Sequence, residues 1–306
     1  MISVVMATYN GEKYIRQQLE SIWNQTLLPD EIIISDDSST DCTVDILHSL
    51  KTLAKVPYCL FQNPKRLGYV ENFRHAISQA HGDIIFLCDQ DDLWFPQKIE
   101  ICNQILSENP QILSLSTGIK LIDSQDRPIK TVCYGWMGKT HRLKKVSWKL
   151  FLRHPKYPGM AMVIRKELAE EFNASISSFS YPHDWQLNEL ASFKGGMYYL
   201  DTVLASYRQH SSNTVGTLSN MPITRSIQKR EEYLLNMCSC LYYLEKARNS
   251  STYLNRLSSF YRKRYKLFHD NKVVVLFIYS VCHLQYISVR SLIGDLYLLF
   301  KGKWRK

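Results

Sequence analysis

Short apolar runs alternate with helical patterns through the first hundred residues of the chain. Within residues 14–24 the apolar positions recur every three or four residues, so Ile15, Leu19 and Ile22 share one face of a predicted helix. The predicted strands cover residues 2–7, 31–35, 58–62 and 83–88, and the predicted helices cover residues 14–24, 43–53 and 70–80. Strands and helices that alternate at this spacing predict an α/β fold, with a mostly parallel sheet flanked by helices.

Polar residues follow each of the four predicted strands at the point where the strand ends. These residues are Thr8-Tyr9-Asn10, Asp36-Asp37, Asn63 and Asp89-Gln90-Asp91-Asp92. Ligands of open parallel sheets bind beyond the carboxyl ends of the strands. The pattern therefore predicts a binding site at this edge of the sheet.

The rest of the chain has a less regular pattern. Further strands are predicted at residues 114–122 and 159–164, and further helices at residues 166–172 and 185–193. Residues 225–264 are mostly helical in pattern, and the last proline is Pro222. We therefore predict an α/β domain over residues 1–220 and a helical extension over residues 221–306.

Composition narrows the class of protein. The chain has 306 residues, 45% of them hydrophobic, which is enough for a self-sufficient core and excludes disordered or collagen-like proteins. Its eight cysteines include no CxxC pair, so we predict free thiols and a reducing compartment. The residues that follow Met1 do not show the pattern of a signal peptide. The longest apolar run, near residues 273–282, is shorter than the ~20 residues of a membrane-spanning helix. We expect a cytosolic protein that is able to lie on a membrane.

The net charge of +10 is unevenly distributed along the chain. Residues 225–306 contain 16 basic and 5 acidic side chains, a net charge of +11. Residues 1–224 contain 22 basic and 23 acidic side chains, a net charge of −1. The basic extension therefore predicts an anionic partner, either lipid headgroups or nucleic acid.

Three carboxylates, Asp89, Asp91 and Asp92, lie within four residues directly after a predicted buried strand. Like charges this close repel one another unless a cation neutralises them. Oxygen ligands suit Mg²⁺ or Mn²⁺, which commonly bridge a protein carboxylate to a diphosphate. A solvated turn or a helix cap is the alternative interpretation of the same cluster.

A second acidic pair, Asp36 and Asp37, follows the second predicted strand. One interpretation is a contact with the sugar or base of a nucleotide; the other is a turn in which Thr40 or Asp41 caps the next helix. The sequence contains no GxxxxGK[ST] loop, and no GxGxxG follows the first strand. Dehydrogenase and P-loop hydrolase functions therefore lose most of their support.

Six short motifs, taken in their order and spacing, resemble the family 2 glycosyltransferases over about residues 1–215. The motifs are ATYNGE at 7–12, DDSSTD at 36–41, DQDDLW at 89–94 with Pro96, PGM at 158–160, HDW at 183–185 and YRQH at 207–210. The pattern is most similar to bacterial rhamnosyltransferase-type members, which build cell-surface polysaccharide or O-antigen.

The resemblance implies a GT-A fold that binds a nucleoside diphosphate sugar, with dTDP-rhamnose as the expected donor. Donor contacts are implied for Thr8, Tyr9, Asp36, Asp37, Asn72 and Asp89. Asp89 and Asp91 match the DxD-type metal element, and His210 matches a late histidine that completes the metal–diphosphate site. Mg²⁺ or Mn²⁺ is the implied cofactor.

The same resemblance places the catalytic base at Asp184. The acceptor side is implied for Gly159, Met160, His183 and Trp185. A single base with in-line attack implies inversion at the anomeric carbon. Taken alone, Asp184 is also compatible with an N-cap for the predicted helix 185–193. Two positions depart from the family pattern: Cys42 replaces a common glycine, and Gln186 replaces an aromatic residue.

The implied acceptor is a lipid-linked saccharide, which favours an anionic membrane over nucleic acid as the partner of the basic extension. Its clusters at residues 262–266 and 301–306 flank the apolar stretch 273–300. We expect a cytoplasmic enzyme that is peripheral on the inner face of the cell membrane. The alternatives are a solvated helical hairpin for the extension, and, for the whole chain, a UDP-hexose or UDP-N-acetylhexosamine transferase or a non-catalytic nucleotide-sugar-binding scaffold.

Overall fold

The computed structural model describes residues 1–129, 141–153, 157–174, 181–210, 227–247, 252–287 and 289–303. The chain forms two compact units. The sheet unit comprises Met1–Ile176 and Pro182–Val215, and the helical unit comprises Ser177–Tyr181 and Gly216–Lys306. Pro222, near which the sequence places the domain boundary, lies outside the described residues.

The described residues contribute nine strands to one sheet. The strands are β1 (Ile2–Thr8), β2 (Glu31–Asp36), β3 (Tyr58–Gln62), β4 (Ile84–Asp89), β5 (Leu93–Trp94), β6 (Ser114–Asp123), β7 (Leu143–Lys145), β8 (Met162–Arg165) and β9 (Met197–Gln209). Their order across the sheet is β3-β2-β1-β4-β8-β6-β9-β5, and β7 also pairs with β9. The first four strands of this order are parallel, whereas β8 is antiparallel to both β4 and β6. The predicted α/β class is confirmed, and the second half of the unit adds antiparallel pairs.

Helices flank the sheet. They are α1 (Ile15–Trp23), α2 (Thr43–Leu50), α3 (Tyr69–Ser78), α4 (Lys98–Glu108), α5 (Trp148–Arg153), α6 (Lys166–Ala174) and α7 (His183–Phe193), with 3-10 turns at Lys51–Leu53 and Gly159–Ala161. The four strands and three helices predicted in the first hundred residues are all present. Their bounds agree with the predicted ones to within two residues, once the first 3-10 turn is counted with α2.

The register of the parallel strands brings the predicted polar residues together. Thr8 at the end of β1 lies opposite Asp36 of β2, and Ala7 lies opposite Asp89 of β4. These strands are apolar and buried over most of their length, as expected for parallel strands covered on both faces. The carboxyl ends of β1, β2 and β4 therefore form one edge, where the sequence predicts a binding site.

Two predicted elements have different bounds in the structure. The strand predicted from residue 159 begins at Met162, because the residues after Pro158 form a 3-10 turn in which the Ala161 N–H donates to the Pro158 carbonyl. The helix predicted from residue 185 begins at His183, with Pro182 as its N-cap residue. Asp184 therefore lies in the first turn of α7 and is not its N-cap.

Two long elements, α4 and β9, have no counterpart among the predicted ones. β9 is 13 residues long and pairs with β5, β6 and β7. Polar residues interrupt its apolar pattern, yet they are buried; these are Asp201, Ser206, Arg208 and Gln209. The pairing of β9 with three strands, and not a local pattern, defines this strand.

The helical unit contains α8 (Ile227–Ala247), α9 (Thr252–His269), α10 (Val273–Val281) and α11 (Val289–Lys303). α9 packs against α8 and α10, and α11 also packs against both α8 and α10. A buried ion pair joins Arg264 of α9 to Asp295 of α11, with 2.7 Å between Nη2 and Oδ2. Within the described residues, no helix combines the length and the apolarity that crossing a membrane requires.

Candidate active site

The floor of the site is formed by the acidic pair at the end of β2. Asp36 is buried, and its carboxylate accepts hydrogen bonds from Thr8 Oγ1 (2.8 Å), Ser39 Oγ (2.6 Å) and the Ser39 N–H (2.9 Å). Asp37 accepts hydrogen bonds from the N–H groups of Leu67 (2.6 Å) and Gly68 (2.8 Å). These bonds hold the loop before α3 against the strand ends.

Asn72 belongs to the same buried layer. Its Nδ2 donates to the Ser35 carbonyl (2.9 Å) and the Thr8 carbonyl (3.3 Å), and its Oδ1 accepts from Asn63 Nδ2 (2.9 Å). The side chain is 2% exposed. Thr8, Asp36 and Asn72 thus form a hydrogen-bonded support beneath the strand ends, and Asn72 fixes the position of β1 relative to β2.

Tyr9 connects this floor to the acidic cluster. The Gln90 amide accepts from the Tyr9 N–H and donates to the Tyr9 carbonyl, both at 2.9 Å. The exposed Arg66 guanidinium lies 3.9 Å from the centroid of the Tyr9 ring. A Cβ atom at Gly11 would lie 2.2 Å from Gln90 Oε1, so this pairing requires glycine at position 11. A half-buried aromatic ring under a cation is suited to a nucleotide base or its phosphates.

The three carboxylates after β4 have different surroundings. Burial, together with the charges of Asp91 and Asp184, raises the pKa of Asp89 to about 8. Asp92 is buried; its Oδ1 accepts from the Arg208 N–H (2.9 Å), and its Oδ2 is buried without a hydrogen-bond partner among the described residues. Asp92 is thus held against β9, and Asp89 and Asp91 are left at the strand ends.

His210 lies directly against this pair. Its Nε2 is 2.7 Å from Asp91 Oδ2, and its ring stacks on Tyr14 with 5.0 Å between the centroids. Asp91 and His210 are 119 positions apart in the sequence, and the pairing of β9 in the sheet brings them together. Two residues that the family resemblance assigns to one metal–diphosphate site are therefore in contact.

Arg208 holds the backbone of Asp91 in place. It is 1% exposed, and its Nε donates to the Asp91 carbonyl (2.7 Å) while its Nη2 donates to Gln17 Oε1 (2.9 Å). The guanidinium is also paired with Asp126 and lies 4.5 Å from the Tyr14 ring centroid. Sequence reasoning found the motif that contains Arg208 but gave the residue no role. The available signal was its place inside the YRQH motif at residues 207–210.

Among the described residues, no three His, Cys, Asp or Glu side chains form a ready-made metal cluster. The pair Asp89 and Asp91 nevertheless fits Mg²⁺ or Mn²⁺, because these ions are usually held by one or two carboxylates, with substrate phosphates and water as the other ligands. Burial, and then the repulsion from Asp91 and Asp184, raise the pKa of Asp89, and a bound cation would offset both effects.

Asp184 lies in the first turn of α7, near this carboxylate pair. Its Oδ1 accepts from the Trp185 N–H (2.9 Å), and the carboxylate also accepts from the Gly159 N–H. Burial outweighs these hydrogen bonds and raises the pKa of Asp184 to about 7. A carboxylate with this pKa accepts protons far more readily near neutral pH than an exposed aspartate does.

The other residues predicted on the acceptor side are mostly buried. His183 stacks on Phe73 of α3 with 4.0 Å between the centroids, and burial lowers its pKa to about 3, so the ring is neutral at pH 7. A Cβ atom at Gly159 would lie 2.7 Å from His183 Nε2, which explains the glycine. Met160 is buried, and Trp185 is half-buried.

Lys98 is a buried cation beside the site that sequence reasoning missed. It is fully buried at the start of α4, and its Nζ donates to the Met160 carbonyl (2.6 Å) and lies 3.8 Å from the Trp94 ring centroid. Burial lowers its pKa to about 8, against the opposing effect of Asp92 and Asp89. The available signal was its spacing from Cys102 and Leu106, which puts Lys98 on the apolar face of α4.

A family model described as Glycosyl transferase family 2 matches residues 3–172, and the chain belongs to this family. Among its relatives, the dTDP-rhamnosyl transferase RfbG of Shigella flexneri is 29% identical over 227 residues, which are 69% of this chain and 73% of RfbG. An uncharacterized glycosyltransferase of Haemophilus influenzae is 24% identical, over 92% of this chain and 85% of its own length. Three mycobacterial relatives are longer, and the match spans 59% of each.

The fold is similar to that of TarS from S. aureus. Residues 1–349 of TarS, crystallised in complex with UDP-GlcNAc, superpose with a TM-score of 0.62 at 16% sequence identity, over 100% of this chain and 92% of that one. The family resemblance and the GT-A fold predicted from the motifs are confirmed.

Proposed function

We propose that this glycosyltransferase moves a sugar, rhamnose from dTDP-rhamnose, to a hydroxyl group of a lipid-linked glycan in cell-surface polysaccharide synthesis. The observation that carries the proposal is the half-buried Asp184 carboxylate, which is close enough to Asp89 at the end of β4 for its charge to raise the pKa of Asp89. RfbG, at 29% identity, is named a dTDP-rhamnosyl transferase, which favours this donor.

Donor binding is assigned to the strand-end edge of the sheet unit. Tyr9, under the Arg66 guanidinium, offers a stacking surface for the base. Asp37 closes the loop before α3 through its bonds to Leu67 and Gly68, and this loop forms one wall of the nucleotide site. Because Asp36 and Asn72 are already hydrogen-bonded within the protein, we assign them to holding the site's shape.

The diphosphate is assigned to the region of Asp89, Asp91 and His210. Mg²⁺ or Mn²⁺, when bound by the two carboxylates, would neutralise charge that develops on the departing diphosphate. His210, in contact with Asp91 and stacked on Tyr14, is placed to donate a hydrogen bond to a phosphate oxygen. Arg208 keeps Asp91 in position through the bond from its Nε to the Asp91 carbonyl.

Asp184 is the proposed general base. It takes the proton from the acceptor hydroxyl as the oxygen attacks the anomeric carbon, and the bond to the diphosphate breaks on the opposite face. One base and in-line displacement give inversion of configuration. Such base catalysis contributes about 10²–10⁴-fold to the rate. Gly159 holds the Asp184 carboxylate through its N–H, and the turn at residues 159–161 shapes the acceptor side with Trp185.

The proposed acceptor places the enzyme at the inner face of the cell membrane, as a peripheral protein in the cytoplasm. The net charge of +11 over residues 225–306 supports attraction to anionic lipid.

A UDP-hexose or UDP-N-acetylhexosamine donor is the second candidate, because the similar TarS structure contains UDP-GlcNAc. The presence of Asp89, Asp91, Asp184 and His210 together argues against a non-catalytic scaffold.

A donor screen tests the proposal. Thermal unfolding is measured with dTDP-, UDP- and GDP-sugars, each with and without Mn²⁺. A donor at a hundredfold its dissociation constant adds about 2.7 kcal/mol to the free energy of unfolding. We expect dTDP-rhamnose to stabilise the protein most, and more with Mn²⁺ than without it. Stabilisation by a UDP-sugar alone would select the second candidate, and no stabilisation by any of these donors would contradict donor binding.

A further inference from the structure

Large apolar side chains are exposed along α10, along the turn after it and along α11. We call the following ten residues the apolar surface: Val274, Val275, Phe277, Ile278, Val281, Leu284, Val289, Ile293, Tyr297 and Phe300. Val274 is 69% exposed and Ile278 is 57% exposed. Single exposed apolar residues are ordinary on a protein surface, but such a concentration within 27 residues marks a surface that meets an apolar partner.

The two helices present this surface in different ways. α10 buries Val273, Leu276 and Ser280, and most of its other residues are apolar and exposed. α11 exposes Val289, Ile293, Tyr297 and Phe300, whose spacing of three or four residues places them on one face of the helix. Both helices therefore have an inner face that packs within the helical unit and an outer face that is apolar.

The length of α10 limits how it can meet a bilayer. Nine residues at 1.5 Å per residue span about 13 Å, whereas the hydrocarbon core of a bilayer is about 30 Å thick. A helix of this length is suited to lying at the boundary between headgroups and acyl chains, parallel to the membrane plane.

Basic residues accompany the apolar surface. Lys272 directly precedes α10, and Lys263 and Lys266 are exposed on α9, which packs against α10. With a net charge of +11 over residues 225–306, two copies of this unit would repel each other, whereas anionic headgroups would neutralise it. The charge therefore favours lipid over a second copy of the chain as the occupant of the apolar surface.

We infer that the apolar surface of α10 and α11 inserts into the headgroup–acyl boundary of an anionic bilayer, with the lysines of α9 and Lys272 at the headgroups. The inference rests on the proposed function in one respect, which is that a lipid-linked acceptor brings the enzyme to a membrane. It goes further by assigning the attachment to specific side chains.

The test is flotation of the full-length chain with vesicles of phosphatidylglycerol mixed with phosphatidylcholine, and with vesicles of phosphatidylcholine alone. We expect binding to the anionic vesicles, and a loss of at least about tenfold in the partition coefficient for the double variant Phe277→Gln/Ile278→Gln. The matched control is Leu28→Gln/Leu53→Gln, which removes two exposed leucines from the sheet unit and should bind like the wild type. Circular dichroism confirms that each variant is folded.

A second variant, Lys263→Glu/Lys266→Glu, tests the electrostatic part. We expect it to lose binding to anionic vesicles while leaving the apolar surface unchanged. Flotation of the Phe277→Gln/Ile278→Gln variant at the wild-type level would overturn the inference. Failure of the folded wild type to bind anionic vesicles would also overturn it. In that case, a dimer of the wild type that Phe277→Gln/Ile278→Gln dissociates, as measured by light scattering, would identify a second copy of the chain as the partner of the apolar surface.

Donor binding is measured on the same preparations, so that the two proposals fail separately. If the wild type binds a nucleoside diphosphate sugar but not anionic vesicles, the inference about the apolar surface is wrong and the proposed function stands. If it binds the vesicles but none of the donors, the proposed function is wrong and the membrane surface stands.

Discussion

At the scale of single residues, burial determines the chemistry of the site. Asp184 accepts backbone hydrogen bonds from Trp185, from its own N–H and from Gly159, which favour its charged form, yet burial raises its pKa to about 7. His183, its neighbour in the chain, is also buried, and its pKa falls to about 3. Adjacent positions at the start of one helix thus hold a carboxylate whose pKa is near neutral pH and an imidazole ring that is neutral at pH 7.

Replacing Asp184 by asparagine tests its role as base. The variant keeps the size and polarity of the side chain but cannot take the acceptor's proton, so we expect transfer to fall by about 10²–10⁴-fold. Donor affinity, measured by calorimetry, should stay within about twofold of the wild type. The matched control is Asp45→Asn, at an exposed aspartate in the first turn of α2, which should transfer normally. Transfer by Asp184→Asn within about threefold of the wild type would remove Asp184 from the mechanism.

The pKa of Asp184 also predicts a pH dependence. Because the base must be ionised, kcat/KM should fall about tenfold per pH unit below about pH 7 and level off above it. Stability should move the other way: the folded state holds this proton more tightly than the unfolded state, so the ionisation of Asp184 weakens folding as pH rises from about 4 to 7. The Asp184→Asn variant should therefore gain thermal stability relative to the wild type over that range. A stability difference that is constant with pH would contradict a raised pKa.

The motifs located the site but not the task of each side chain. The sequence predicted that Thr8, Asp36 and Asp89 come at the ends of predicted strands, because apolar runs and the polar residues after them are local signals. It could not show that the side chains of Asp36 and Asn72 are hydrogen-bonded to other protein atoms. Nor could it show that the Arg208 N–H holds Asp92 against β9. Most of those contacts join residues far apart in the sequence, such as Asn72 with Ser35 and Arg208 with Asp92.

At the scale of elements, Lys98 joins α4 to the turn at residues 159–161. Its Nζ donates to the Met160 carbonyl, and the same turn supplies the Gly159 N–H that holds Asp184. The buried cation also stands near the carboxylates of Asp89 and Asp92 and offsets part of their repulsion. Through this residue, α4 helps to position Asp184, the proposed base.

Replacing Lys98 by methionine should destabilise the protein by about 3 kcal/mol. The change removes a buried charged hydrogen bond and leaves the Met160 carbonyl and two carboxylates without their cation. The matched control is Lys166→Met, at the exposed first residue of α6, which should change stability by less than about 0.5 kcal/mol. Urea unfolding of the three proteins provides the measurement. Equal stability of Lys98→Met and the wild type would show that this lysine is dispensable to the fold.

Helices and strands with a regular pattern of apolar residues were predictable from the sequence. Elements whose buried faces contain polar residues, and whose position depends on contacts with distant parts of the chain, were not. β1 to β4 and α1 to α3 have continuous apolar runs or regular apolar faces. α4 was missed because its buried face includes a lysine, and β9 because buried polar residues break its alternation. The turn at residues 159–161 looked like the start of a strand, because Met160 and Ala161 are as apolar as the strand that follows.

At the scale of the whole molecule, charge and chemistry are divided between the two units. The carboxylates of the candidate site belong to the sheet unit, and the excess of basic residues lies in residues 225–306. The uneven charge is visible in the sequence, whereas the site carboxylates were predicted from their motifs and the boundary from the change to a helical pattern near Pro222. Basic clusters also flank the apolar stretch 273–300 in the sequence. The side chains of the second cluster, residues 301–306, lie outside those that the structure describes.

The buried pair of Arg264 and Asp295 lets the helical unit be perturbed on its own. We expect Asp295→Asn to destabilise the protein by about 3–5 kcal/mol, because it leaves Arg264 buried without its counter-ion. The affinity of the sheet unit for donor should not change, since no residue of the candidate site belongs to this pair. Asp270→Asn, at an exposed aspartate after α9, is the control. Thermal unfolding and donor titration give the two readings, and a large loss of donor affinity in a folded Asp295→Asn protein would contradict this division.

The proposed metal–diphosphate site and the position of Asp184 are tested most directly by a crystal structure of the full chain. The crystal is soaked with Mn²⁺ and the donor selected by the screen, and anomalous scattering locates the metal. We predict a manganese peak at Asp89 and Asp91, the diphosphate beside His210, and the Asp184 carboxylate on the face of the sugar opposite the diphosphate. A nucleotide bound away from the ends of β1, β2 and β4, or a sugar whose anomeric carbon lies out of reach of Asp184, would contradict it.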